Sequence, residues 1–112
     1  MHEGSATAAI ELRDERHPRG AELRERAELA ARAFDRQLAL THPAWLGHCK
    51  ILLQTAAPAY VSLTGAAERL RWAGRIADDA TATGATIYAV IWGASDDDVA
   101  LAVAAALAAF AP

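Results

Sequence analysis

The chain has 112 residues, 54% of them hydrophobic and 22% charged, with a formal net charge of −3. That length suits one domain able to bury a core without disulfide or metal staples, and the composition is globular, not disordered. Seven of the ten arginines lie in the first forty positions among eight acidic residues, which is a mixed, solvated surface and makes nucleic acid an unexpected partner.

Residues 1–18 are polar and read as a flexible tail before an α+β domain over 19–112; Ile10 and Leu12 offer the alternative of an edge strand. Pro18 breaks the chain before a helix from Ala21 to about Leu40. Leu23, Ala27, Ala30, Ala31, Phe34 and Leu38 recur there at helical spacing, with Glu22, Arg24, Glu25, Glu28, Arg32, Asp35 and Arg36 on the opposite side. His42-Pro43 ends it, because a residue preceding proline is pushed out of the right-handed helical region.

His48–Thr55 and Ala59–Thr64 read as a hairpin. Alternation sets His48, Lys50, Leu52 and Gln54 against Cys49, Ile51, Leu53 and Thr55, and Tyr60, Ser62 and Thr64 against Val61 and Leu63. Residues 66–80 fit a helix aligned on Ala66, Leu70, Ala73, Ala77 and Ala80, or a strand over Arg69–Ala73 with Gly74 marking its end or a bulge; the strand is preferred. Thr86–Trp92 is the strongest strand. Its apolar residues on both faces predict cover from both sides. Ser95 then caps a nearly all-apolar helix reaching Phe110, with Asp98 at the capping-box position and three aspartates at the positive end of the helix dipole. The expected architecture is an α+β fold with a three- or four-stranded sheet, the first helix on one face and the last helix elsewhere against it.

The residues of chemical interest are Gly47-His48-Cys49-Lys50, where a histidine, the single cysteine and the single lysine meet at the start of a strand. His48, Lys50, Gln54, Tyr60, Ser62 and Thr64 form a candidate ligand- or partner-binding face, with His48 able to give or take a proton. Cys49 points the other way and is expected to be buried and inert. His42, His48 and Cys49 suit zinc by type, but their spacing fits no recognised finger or ribbon, and no metal site is assigned. There is neither a phosphate-binding glycine loop nor a G-x-S-x-G motif, so no catalytic residue or cofactor is named. A lone cysteine, no apolar leader after Glu3 and a longest apolar run too short for a bilayer (Val99–Ala111) make a cytoplasmic protein, not a membrane protein, the expectation.

Three runs carry a family likeness: Trp45-Leu46-Gly47-His48-Cys49-Lys50, Ala59-Tyr60-Val61-Ser62-Leu63-Thr64, and Thr86-Ile87-Tyr88-Ala89-Val90-Ile91-Trp92-Gly93. Over about 45–110 the chain resembles the α+β accessory region that follows the nucleotide domain in some CobW-type GTPases. No GTPase domain is present, so the resemblance implies a stand-alone accessory domain in metal or cofactor handling, without nucleotide hydrolysis. The functional expectation is a non-catalytic interaction module working with a larger protein partner. It is expected to be homodimeric through its alanine-rich last helix and dry strand. The alternative is a small-molecule-binding protein or enzyme using the His48/Lys50 face.

Overall fold

The computed structural model describes residues 2–12 and 19–111. Seven elements follow in chain order: β1 (Glu3–Glu11), α1 (Gly20–Ala39), β2 (Leu46–Leu53), β3 (Ala59–Gly65), β4 (Arg71–Ala73), β5 (Gly84–Trp92) and α2 (Asp96–Phe110). The strands form one antiparallel sheet in the order β1-β5-β2-β3-β4.

The α+β class is as expected, but the sheet has five strands, not three or four. The additional strand is β1, formed by residues expected to be tail. Gly4, Ala6, Ala8 and Ile10 turn inward there and alternate with Glu3, Ser5, Thr7, Ala9 and Glu11. Nine register pairs, from Glu3 opposite Trp92 to Glu11 opposite Gly84, join β1 to β5. The remainder of the expected tail, 13–18 with its helix-breaking Pro18, lies outside the described residues. Of the ambiguous stretch 66–80, only Arg71–Ala73 pairs as strand, so the helix is not formed. Gly74 ends it with φ 84°, a left-handed conformation suited to glycine.

Both helices lie on one face of the sheet. Cys49, Ile51, Leu53, Val61, Leu63, Ile87, Ala89 and Ile91 point into that layer, where they meet Leu23, Phe34 and Leu38 of α1 and Val99, Val103 and Phe110 of α2. Full burial of each large apolar side chain contributes about 1.5–3 kcal/mol. The helices run antiparallel against each other. Arg26 donates to the Ala111 carbonyl at one end, and the His42 imidazole meets the Asp98 carboxylate at 3.1 Å at the other. The interior strand β5 is therefore covered on one side only, contrary to expectation: Tyr88 and Trp92 on its other side are exposed.

The N-terminus of α2 is capped as its sequence predicts, with the Ser95 hydroxyl accepting from the Asp98 N–H at 3.1 Å. Its aspartates do more than compensate the dipole. Asp96 accepts the Ser5 N–H of β1 at 2.9 Å, and Asp98 holds His42.

One carboxylate fixes the neighbouring corner. Asp35 of α1 accepts the Trp45 indole N–H at 2.9 Å through one oxygen and the Ala67 N–H at 2.9 Å through the other. It thereby ties the entry of β2 and the turn after β3 to the helix. The Trp45 ring stands edge-on to Phe34, with centroids 5.6 Å apart. Removing the carboxylate leaves a donor on a buried tryptophan without its partner. Asp35→Ala is expected to lower unfolding free energy by about 1.5–3 kcal/mol, and Asp35→Asn, which retains one acceptor, by less; chemical denaturation checks both.

Candidate functional site

The candidate face is the side of the sheet opposite the helices. Its central row runs across four neighbouring strands, with Tyr88 opposite Lys50, Lys50 opposite Ser62, and Ser62 opposite Arg71. One row on, Val90 lies opposite His48, and beyond that Leu46 and Trp92 border one groove at the end of the sheet. On the other side of the central row, Thr86, Leu52, Tyr60 and Ala73 form a further row. Alternation of side chains from four antiparallel strands brings these residues together, and the same alternation sends Cys49, Ile51, Val61 and Ile87 into the core.

The structure places His48, Lys50, Tyr60, Ser62 and Thr64 on this side, exposed or half-buried. Gln54 follows the end of β2 and is exposed at the far margin, where its backbone exchanges hydrogen bonds with Gly84 and Thr83. Lys50 sets its ammonium over the Tyr60 ring, 4.9 Å from the centroid. Such a contact contributes about 0.5–1 kcal/mol at an exposed site and restricts the lysine without neutralising it. The His48 ring stands edge-on to Trp92, with centroids 6.2 Å apart and planes at 85°. The Ser62 hydroxyl reaches the Arg71 carbonyl at 3.5 Å.

Tyr88, Val90 and Trp92 join this face without having been singled out from the sequence. Their alternation with Ile87, Ala89 and Ile91 is plain, but apolar residues on both sides of a strand resemble a strand enclosed on both sides. The side chains of Leu46, Leu52, Tyr88 and Trp92 are 37–55% exposed, and they make up four of the seven exposed large hydrophobics among the described residues. The face is thus apolar and aromatic around a polar, cationic centre.

A β-bulge lies between Leu46 and Cys49 on the β3 side. Gly47 occupies it, because a Cβ there would collide with the Val90 carbonyl oxygen of β5. Gly47→Ala is expected to cost about 1–3 kcal/mol or more by forcing the strands apart. His48→Ala, one residue on and exposed, should stay within about 0.5 kcal/mol of the parent. Paired melting curves separate the two effects.

Cys49 is buried on the helix side, as expected. Burial, with a smaller contribution from the Asp35 charge, pushes its thiol up to about 12. Thiolate is the reactive form, so the native protein should resist thiol reagents at pH 8 and label fast only when unfolded. Rapid labelling of the folded chain would contradict the register of β2.

No group of three or more His, Cys, Asp or Glu side chains converges among the described residues in a way that could hold a metal ion. His42, His48 and Cys49 are occupied separately, at Asp98, beside Trp92 and in the core. At the Trp92 end of the face, the α1–β2 turn and β5 border an open groove of about 550 Å³, lined by Thr41, His42, Pro43, Ala44, Trp45, Leu46, Trp92 and Gly93. Lys50, Ser62 and Tyr60 stand outside it, on open sheet surface. No helix among the described residues is long and apolar enough to cross a membrane. Compared with protein-family models, with curated proteins and with solved structures, the chain matches none.

Proposed function

We propose that this protein is a non-catalytic interaction domain that docks a larger protein through the open face of its sheet. The observation that carries this reading is the concentration of Leu46, Leu52, Tyr88 and Trp92 on one uncovered face around Lys50 and Arg71. Aromatic anchors with a cation among them are the composition of binding hot spots, and exposed aromatic area concentrated on one face is unusual for a surface with no partner. An open, extended surface suits a macromolecule better than a small molecule, which needs concave enclosure. That favours docking over the alternative of a small-molecule site or enzyme at His48 and Lys50. The resemblance to the accessory region of CobW-type GTPases gives the reading its direction, toward a partner in metal or cofactor handling.

Self-association was expected through α2 and a two-sided β5. The buried side of α2 is already engaged by α1 and the sheet, through Val99, Val103 and Phe110. A second copy on the open face is the remaining route. Two-fold pairing centred on β2 would, however, set Lys50 against its own twin, an unfavourable juxtaposition of like charges. A different chain is the better occupant.

The test is photo-crosslinking in the producing cell, with a photoreactive residue replacing Ser62 on the open face or Ala104 on the exposed side of α2. Discrete heavier adducts from position 62 and few from 104 are expected, while light scattering of the purified chain at micromolar concentration reads a monomer. Equal adducts from both positions, or none from 62, would remove the docking role. An adduct of twice the chain mass from 62 would make the partner a second copy.

A further inference from the structure

The open face carries two chemically different features at a fixed separation. At one end, Leu46 and Trp92 border the apolar groove. Toward the middle, Lys50 and Arg71 flank Ser62 on successive strands, roughly 10 Å apart as second neighbours in a sheet. Leu46 and Lys50 are four residues apart on one strand, roughly 13 Å.

The charge around the centre has one sign. The outward side chains of β2, β3, β4 and β5 include Lys50, Arg71 and His48 but no carboxylate; the acids on this side are Glu3 and Glu11, at the two ends of the edge strand β1. On α1, by contrast, Arg24 pairs with Glu28, Arg26 with Glu22, and Arg32 donates to the Glu68 carbonyl. Neither Lys50 nor Arg71 has an ion-pair partner among the described residues, and Lys50 is held over a ring instead of a carboxylate. In a chain of net charge −3, this leaves an unneutralised cationic centre on the most apolar exposed surface.

Resting on the docking role proposed above, we infer that the occupant is an extended acidic segment of a partner protein. A bulky apolar side chain of that segment enters the groove between Leu46 and Trp92. A carboxylate about four residues further along lies over Ser62, between Lys50 and Arg71. The spacing follows from geometry: side chains four apart on an extended segment share a side and span the distance from groove to cations. Complementary charge would fix the segment's direction and its rate of encounter, and the apolar anchor would supply most of the affinity. A nucleic acid backbone is a poor occupant, since two cations on an acidic protein make no basic stripe.

Fluorescence anisotropy with the full chain tests this, using a fluorescein-labelled peptide that carries phenylalanine and, four and six residues on, aspartates. The control peptide has lysines at those two positions. The acidic peptide should bind at low salt and the lysine peptide about tenfold more weakly or worse; each tenfold corresponds to about 1.4 kcal/mol. Lys50→Glu and Trp92→Ala should each weaken the acidic peptide about tenfold, with melting curves near the parent's, and Lys50→Arg should retain binding. Equal binding of the two peptides, no binding of either, or an unchanged affinity in Lys50→Glu overturns the acidic assignment. If the lysine peptide binds better and Trp92→Ala abolishes it, the face still docks a protein and only the charge of the partner is wrong. If the crosslinks from position 62 fail as well, the docking role itself falls.

Discussion

The packing of α1 against α2 over one face of the sheet is the contact on which the rest of the structure depends. A five-stranded sheet has two faces, and the described chain has only two helices. Side by side and antiparallel, these helices together are wide enough to roof β1, β5, β2 and β3, and their shared interior holds Phe34, Phe110 and Leu38. Had they divided between the faces, each layer would have been half covered and β5 would have been enclosed. The chosen arrangement makes one complete core and leaves one complete open face. The exposed aromatics are therefore a consequence of topology, since neither described helix reaches that face.

The sheet's edges are treated differently from its open face. β1 is a long edge strand, and long edges invite pairing with other chains. Asp96 takes one outward N–H, that of Ser5, at 2.9 Å. Glu3 and Glu11 stand near the two ends, so antiparallel pairing of two such edges about Thr7 would set Glu3 opposite Glu11. The other edge, β4, is only three residues long. It is fastened to α1 by the Trp72 indole, which donates to Glu28 at 2.8 Å while Arg24 lies over its ring. Both edges are blunted, which leaves the open face as the surface for the docking proposed above.

What could be read from the sequence follows the strength of the alternation. In β2 and β3, large apolar residues alternate with polar ones, so the side of His48, Lys50, Tyr60, Ser62 and Thr64 was legible. The α1 stripe from Leu23 to Leu38 was legible for the same reason at helical period. β1 was not, although it too has a period of two, because its inward residues are Gly4, Ala6, Ala8 and Ile10. At Gly4 the small size has a physical reason: a Cβ there would stand 2.6 Å from the carbonyl oxygens of Ala94 and Ser95. That close approach of the α2 entry belongs to tertiary packing and leaves only weak hydropathy behind. The open side of β5 was missed because one strand cannot tell how many layers surround it. The tertiary roles of Asp96 and Asp98 were hidden likewise, since each depends on a neighbour distant in sequence, Ser5 or His42.

The two ends of the open face differ in the structure that borders them, and this bears on where an anchor would seat. At the Gln54 end the sheet gives way to the connections over 54–58 and 74–83, which hold little regular structure. At the Trp92 end every bordering segment is fixed. The β2 entry is tied to α1 through Asp35 and Trp45, the α1–β2 turn to α2 through His42 and Asp98, and the end of β5 to β1 through the Gly93 N–H and His2 carbonyl at 2.6 Å. The bulge at Gly47 completes the corner, as Trp45 enters the core while its neighbour Leu46 faces outward. A groove whose walls are already ordered loses little conformational entropy on binding. Preorganisation and apolar area therefore coincide at Leu46 and Trp92, whereas the cationic centre stands on sheet that is equally rigid but flat. An anchor seated at the first would leave the second to select among partners by charge.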